Sequence, residues 1–182
     1  MSKTWIVQNN VAFALIPKSG SSSIKSTLYN HTDHYVRYHW NDEIDHVDTR
    51  VMFLREPINR IHSAYRFFKN QHELGCKHVG NWCPTGTFEQ FIDHVLQQPN
   101  PHWDSQVKQV TDKHGLYVPT ITHKFEDIGE MWSHYSDATL NHKNAAPTHY
   151  DIDAEYRIEE LLAHTEDDML LWNNCTYVTP RG

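Results

Sequence analysis

Residues 13–28 place a lysine, a glycine and a run of serines between an apolar segment and a helical pattern. A strand–loop–helix arrangement of this kind presents backbone N–H groups at the start of a helix, where an anion is stabilised. Gly20 permits close approach of a ligand and a positive φ, and Lys18 adds a positive charge at the mouth of the loop. The segment therefore predicts an anion-binding loop. The alternative is a serine-rich helix start beside an exposed lysine.

This loop differs from the nucleotide-binding loop of ATPases and GTPases. In their pattern, G-x-x-x-x-G-K-[ST], the lysine follows the glycine. Here Lys18 precedes Gly20. The order of the two residues argues against an ordinary ATPase or GTPase.

A second candidate segment begins where the apolar run of residues 51–54 ends. Arg55 follows this run, and ligands of open α/β sheets bind at the carboxyl edge of the strands. Arginine can hold a phosphate through two parallel hydrogen bonds. Ser63 follows about two helical turns later, so it can lie near the same ligand. The alternative is that Arg55 pairs with Glu56 or another carboxylate.

Apolar patterning predicts the elements that must position these residues. The predicted strands are residues 5–7, 11–16, 35–38, 51–54, 116–118 and 121–124, and the predicted helices are residues 21–29, 57–69, 87–97, 128–135, 154–164 and 167–172. Asn9 and Asn10 are typical of a hairpin turn, and Pro57 suits a first helical turn. Strands that alternate with helices predict an α/β sandwich, formed as one domain over residues 1–182, around a mostly parallel sheet.

Composition limits the class of protein. The 182 residues are 38% hydrophobic and 12% aromatic, which excludes a disordered chain. No apolar run approaches the length of a membrane span, and no signal peptide is recognised, so we expect a cytoplasmic protein. Cys76 and Cys83 could close a small loop as a disulfide, but the lack of an export signal favours reduced thiols.

Charge and histidine content restrict the partners. The net charge is −7, so a global basic field for nucleic acid is excluded and any anion site must be local. The 15 histidines raise the alternative of a metal hydrolase. Their only suggestive spacing is His31-x-x-His34, and no C-x-x-C pair occurs. We therefore expect no metal site.

Residues 17–22 (P-K-S-G-S-S) and residues 55–65 (R-E-P-I-N-R-I-H-S-A-Y) together resemble the sulfotransferase family, which uses 3′-phosphoadenosine-5′-phosphosulfate (PAPS). The first is similar to the family's 5′-phosphosulfate loop, P-K-S-G-T-T. The second is similar to its 3′-phosphate motif, R-x-P-x-x-R-x-x-S-x-Y. Residues 122–128, 140–144 and 167–172 resemble the carbohydrate-type, sulfotransferase family 2-like members. The resemblance implies a three-layer, P-loop nucleotide-hydrolase-like sulfotransferase fold.

The resemblance also implies a donor site. Lys18 would contact the 5′-phosphate and stabilise charge on the leaving phosphate, while Arg55 and Ser63, with Arg60 as a further candidate, would hold the 3′-phosphate. The implied donor-binding residues are Pro17, Lys18, Ser19, Gly20, Ser21, Ser22, Ser23, Arg55, Arg60 and Ser63. Serine stands at positions 21 and 22, where threonine is more usual, and this keeps the hydroxyl. The reaction would be an in-line transfer of the sulfuryl group to an acceptor hydroxyl, releasing 3′-phosphoadenosine-5′-phosphate (PAP) without a metal.

The acceptor hydroxyl needs a base within hydrogen-bond reach. His39 resembles the histidine that follows the third strand in carbohydrate-type members, and a neutral imidazole suits this role. His102 is the alternative, in a segment similar to the family's H-W-x-x-Q stretch, where acceptor contact or a structural role is expected. Glu43 and His34 are further candidates. A carbohydrate acceptor is the expectation by resemblance, with a small-molecule hydroxyl or a protein side chain as alternatives.

Two other functions fit the predicted fold. A small-molecule kinase would need a lysine after the glycine and an acidic magnesium ligand, for which Asp42 and Asp45 are poor matches. A nucleotide-binding protein without activity would bind PAP and transfer nothing.

Overall fold

The computed structural model describes residues 5–31, 35–38, 44–75, 86–141 and 150–175. Five strands form one sheet in the order β3-β1-β2-β4-β5. They are β1 (Trp5–Gln8), β2 (Val11–Ala14), β3 (Val36–Tyr38), β4 (Thr49–Leu54) and β5 (Ile121–Lys124). β2, β4 and β5 pair in parallel, whereas β1 is antiparallel to both β2 and β3. The predicted α/β class is confirmed, and the sheet is mixed, with parallel pairing confined to β2, β4 and β5.

The turn between β1 and β2 follows from two asparagines. Asn9 and Asn10 have φ values of 48° and 60°, and asparagine tolerates this left-handed region better than most residues. A two-residue turn with both central φ values positive matches the twist of a hairpin. The predicted hairpin is confirmed, with Gln8 opposite Val11.

The helices agree with the prediction except at their ends and for one short helix that was not predicted. They are α1 (Ser21–His31), α2 (Pro57–Glu73), α3 (Phe88–Gln97), α4 (Gln106–Gln109), α5 (Ile128–Met131), α6 (Ile158–His164) and α7 (Glu166–Asn174). α4 was not predicted, because four residues are too short to show a period. Residues 154–157 precede α6 instead of forming its first turn, and a 3-10 turn (Trp132–His134) continues α5.

The predicted strand at residues 116–118 is wrong. Tyr117 makes only an isolated antiparallel bridge to Thr111. The Tyr117 hydroxyl lies 2.6 Å from Oγ1 of Thr122. Leu116 and Tyr117 are exposed and only Val118 is buried, so the run lacks the two covered faces of a buried strand.

The core covers both faces of the sheet. On β4, Val51 and Phe53 pack on one side with Ile24 of α1, while Met52 and Leu54 pack on the other. A strand with both faces covered reads as a continuous apolar run, which is why β4 could be recognised. The three-layer, P-loop-like arrangement stays a prediction.

Parallel pairing sets the position of the candidate site. The carboxyl ends of β2, β4 and β5 meet at one edge of the sheet, because parallel strands run in the same direction. β2 leads into the loop before α1, Arg55 follows β4, and Phe125 follows β5. Among the helices of the described ranges, none is long and apolar enough to cross a membrane.

Candidate functional site

The loop between β2 and α1, here called the anion loop (residues 16–20), has a tightly specified backbone. Lys18 has a φ of 68° and Gly20 a φ of 83°, so both occupy the left-handed region that is unfavourable for a residue with a side chain. A Cβ at Gly20 would lie 2.8 Å from Cδ1 of Ile128. Gly20 is therefore required both for its φ and for the space, and its carbonyl accepts the first hydrogen bond of α1 from Ile24.

Arg55 connects the second segment to this loop. Its Nη1 donates to the Lys18 carbonyl at 3.0 Å, and its guanidinium carbon lies 5.0 Å from the centroid of the Phe125 ring. Its Nε is buried and has no hydrogen-bond partner among the described residues. Arg55 thus holds the backbone of the anion loop at Lys18, while its own Nε–H remains available as a donor.

Glu56 does not pair directly with Arg55. Its two carboxylate oxygens accept from the backbone N–H groups of Ile58 and Asn59, at 3.1 and 2.6 Å. Glu56 therefore caps α2, where a negative charge is stabilised by the helix dipole. Glu56 and Glu126 still act on Arg55 through their charge.

Gln106 joins the two segments through its side-chain amide. Its Oε1 accepts from the Ser19 hydroxyl at 2.7 Å and from the Arg55 N–H at 3.1 Å. Its Nε2 donates to the Arg55 carbonyl at 2.8 Å and to Asp168 at 3.3 Å. These four bonds use the full capacity of the amide, and Gln106 is completely buried. Gln106 therefore joins Arg55–Lys18 and Arg60–Pro17 as a third contact that sets the position of the anion loop relative to the end of β4.

Asp168 of α7 holds Gln106 in place. Its carboxylate accepts from the Ser105 hydroxyl at 2.7 Å and from the backbone N–H groups of Gln106 and Val107 at 2.7 and 3.0 Å. Asp168 is only 1% exposed, so its charge is compensated by these donors at the start of α4.

Arg60 supports the anion loop through hydrogen bonds to backbone carbonyls. Its guanidinium donates to the carbonyls of Pro17 (3.1 Å), Asp104 (2.8 Å) and Pro101 (2.6 Å), and the side chain is 2% exposed. Burial lowers the pKa of Arg60 to about 10, against the nearby carboxylates of Asp168 and Asp104, which raise it. Arg60 binds the protein backbone in this structure, so its geometry favours a role in shaping the loop over a role in holding a ligand.

Lys18 is a half-buried cation among other cations. Burial, and then the positive charges of Arg55 and Arg60, lower the pKa of Lys18 to about 8. Its ammonium group lies 4.0 Å from the centroid of the Phe67 ring, a contact that attracts a cation to the ring face. A desolvated lysine beside two arginines binds an anion strongly, because the anion relieves the repulsion.

His102 lies on the same side as Lys18. Its ring stacks on Phe67 with an interplanar angle of 11° and a centroid distance of 6.0 Å. Burial, followed by the charges of Lys18 and Arg60, lowers the pKa of His102 to about 4. Its Nδ1 is buried without a hydrogen-bond partner within the described ranges. The ring is therefore neutral at physiological pH and a weak base, while its nitrogens can still hydrogen-bond.

The other predicted residues are either buried, half-buried or outside the described residues. Ser19 and Ser21 are buried in the loop and first turn of α1, while Ser22, Ser23 and Ser63 are half-buried. His39, His34 and Glu43, with the Cys76 and Cys83 thiols, lie outside the described residues. Within the described ranges, no cluster of three or more His, Cys, Asp or Glu side chains is arranged to hold a metal ion.

Reasoning from the sequence missed Gln106 and Asp168. Gln106 was visible only as the end of the H-W-x-x-Q stretch, without a role, and Asp168 only as part of a helix. A glutamine in an irregular segment shows no periodicity, and its contacts with Ser19 and Arg55 span 87 and 51 positions. Contacts over such separations have no local signal.

The residues of this site lie within a match to a protein-family profile. The profile of the sulfotransferase family matches residues 6–168, which include the anion loop, Arg55, Gln106 and Asp168. Comparisons with curated proteins and with solved structures found no match.

Proposed function

The chain belongs to the sulfotransferase family, and from this premise we propose that it transfers a sulfuryl group from PAPS to an acceptor hydroxyl, releasing PAP. The acceptor proposed is a carbohydrate, because the carbohydrate-type members are those that the chain resembles. A sulfotransferase family implies a sulfate donor, and we take PAPS as that donor because the two motifs resemble those of PAPS-dependent members.

One observation carries the proposal. The segments that resemble the 5′-phosphosulfate and 3′-phosphate motifs meet through the bond from Arg55 to the Lys18 carbonyl, 3.0 Å long, across 37 positions of the chain. Gln106 joins the same two segments from the other side. A ligand with phosphates on both sides of one ribose needs two anion sites at a fixed separation. The contact from Arg55 to the Lys18 carbonyl holds the two segments at such a separation.

The loop and Lys18 would hold the 5′-phosphosulfate. Anions are stabilised by N–H groups at the start of a helix, and α1 begins at Ser21, directly after Gly20. The Lys18 ammonium would compensate the charge that develops on the leaving phosphate. Such preorganised charge acts strongly in a site with little water.

The transfer itself is a displacement at sulfur. The acceptor oxygen forms a bond to sulfur while the bond from sulfur to the bridging phosphate oxygen breaks, and the electron pair goes to PAP. The acceptor proton passes to a base, for which we propose His39. His102, with its lowered pKa, suits acceptor contact better than proton abstraction, because a general base is most effective when its pKa is near the working pH.

Labelled PAPS incubated with the purified protein and a panel of acceptors tests the function. We expect label to appear in a carbohydrate, with release of PAP in equal amount. Transfer to a phenol or a peptide alone would assign a different acceptor class, and stabilisation by ADP with magnesium but not by PAP would favour a kinase.

The role of His39 has a separate test. The His39→Ala variant is expected to bind PAP as tightly as the parent and to lose transfer by about 10²- to 10⁴-fold, the range for a lost general base. Near-normal turnover would remove His39 from the mechanism. His102→Ala is the matched histidine variant, and a larger loss there would exchange the two roles.

A further inference from the structure

Arg66 of α2 is a cation that neither motif assignment uses. It lies three residues after Ser63, and residues three apart on a helix share a face. Its Nε is buried and has no hydrogen-bond partner among the described residues, as is also true of Nε of Arg55. Both arginines therefore keep a buried donor without a partner among the described residues.

The charges show that these arginines act on one another. Arg66 lowers the pKa of Arg55, after the larger effect of burial, and both arginines lower the pKa of His62, again after burial. Two carboxylates act in the opposite direction. The charge of Glu126 raises the pKa of Arg55 more than Arg66 lowers it, and Glu56, whose effect is smaller, is engaged in capping α2.

This arrangement differs from that of Arg60. The Arg60 guanidinium is compensated by three carbonyl oxygens and two nearby carboxylates, so it needs no ligand. Arg55 and Arg66 place like charges together in a partly buried region, which costs free energy that a bound anion would offset. A phosphate dianion has oxygens enough for two guanidinium groups and a hydroxyl.

We propose that Arg66 binds the 3′-phosphate of the donor together with Arg55 and Ser63, so that two guanidinium groups hold this phosphate. The proposal rests on the proposed function, because it takes PAPS as the donor. It names a residue outside the R-x-P-x-x-R-x-x-S-x-Y pattern. Arg66 then determines how strongly the site prefers a nucleotide with a 3′-phosphate.

The test compares two nucleotides that differ only in the 3′-phosphate. Calorimetry gives the dissociation constants of PAP and of adenosine 5′-monophosphate for the parent and for Arg66→Gln. We expect the variant to bind PAP about 10- to 100-fold more weakly, the range for a lost hydrogen bond to a charged group. The affinity for the monophosphate is expected to stay the same, since that ligand does not reach Arg66.

Two variants complete the design. Lys113→Gln removes one positive charge from an exposed turn and is expected to change neither affinity, which separates a local contact from a general loss of charge. Arg66→Lys keeps the charge without the two-pronged geometry and is expected to weaken PAP binding several-fold. It also serves if Arg66→Gln fails to fold, as judged by circular dichroism.

The outcomes separate this inference from the proposed function. If the parent prefers PAP over the monophosphate and Arg55→Gln removes that preference, but the Arg66 variants keep it, the inference about Arg66 is overturned and the function stands. Equal weakening of both nucleotides by the Arg66 variants also overturns the inference. If the parent has no preference for PAP, the donor assignment is overturned, and the role of Arg66 is overturned with it.

Discussion

Helix α2 contributes to two regions that are held together in different ways. The anion loop is fixed by directed polar contacts, in which Arg60 binds three carbonyls and Gln106 makes four hydrogen bonds. The second region is the apolar α2–α3 cluster, whose buried members are Ile61, Ala64, Tyr65, Phe68, Phe88, Phe91, Ile92, Val95, Trp103 and Leu161. Its rings meet mainly edge to face, as Tyr65 and Phe88 do at 5.2 Å.

The two regions should respond differently to amino-acid substitution. A buried polar network fails when one partner is removed, because the remaining donors and acceptors lose both water and protein. An apolar cluster loses stability in proportion to the volume removed. The loop should therefore tolerate little substitution, and the cluster should tolerate small changes without effect on function.

The largest effect is expected for Arg60→Met. This variant leaves the carbonyls of Pro17, Pro101 and Asp104 without their charged donor. A buried polar group left without a hydrogen-bond partner costs about 1 to 3 kcal/mol of unfolding free energy. Chemical denaturation measures the loss, with Arg37→Met, an exposed arginine on β3, as the control. A variant as stable as the parent would show that the loop does not depend on this scaffold.

Lys18→Met should separate function from stability in the same region. The variant removes a charge that would act on the transition state, so turnover is expected to fall about 10²- to 10³-fold. It also removes a half-buried cation on which the positive charges of Arg55 and Arg60 act, so the melting temperature should be equal or higher. Steady-state kinetics and thermal melting are measured on the same preparation. A lower melting temperature with unchanged turnover would contradict this division.

A smaller effect is expected from pH. Because the pKa of Lys18 is lowered to about 8, its ammonium group loses its proton as the pH rises through that value, and the attraction for PAP falls with it. The dissociation constant of PAP should be constant below the Lys18 pKa and rise by up to about tenfold per unit well above it. The Lys18→Arg variant should lack this dependence, since arginine keeps its proton throughout the range. An identical pH profile in the variant would assign the dependence to another group.

The smallest effect is expected in the α2–α3 cluster. Ile92→Val removes one methyl group from a completely buried side chain and should cost about 0.5 to 1.5 kcal/mol of unfolding free energy. Transfer activity should be unchanged, because Ile92 belongs to α3 and takes no part in the hydrogen bonds that hold the anion loop. A large loss of activity at unchanged stability would show that the two regions are coupled through this helix.

Local patterns were sufficient for much of the fold. The apolar run of β4, the asparagine pair of the hairpin and Pro57 at the start of α2 each act over a few residues, and each was confirmed. The errors lie where local signal is weak. Residues 116–118 have the composition of a strand without a ladder to join, and α4 is a single turn.

The sequence by itself determined the residue types at the site. Lys18, Gly20, Arg55 and Ser63 were recognisable because each belongs to a short motif whose chemistry depends on neighbouring positions. The tertiary structure decided their roles. Arg60 and Arg55 are five positions apart in the same motif, yet one is compensated by backbone carbonyls and the other keeps a buried donor free. Burial and partners depend on contacts across the whole fold, with Gln106 and Asp168 62 positions apart, and no local pattern encodes such contacts.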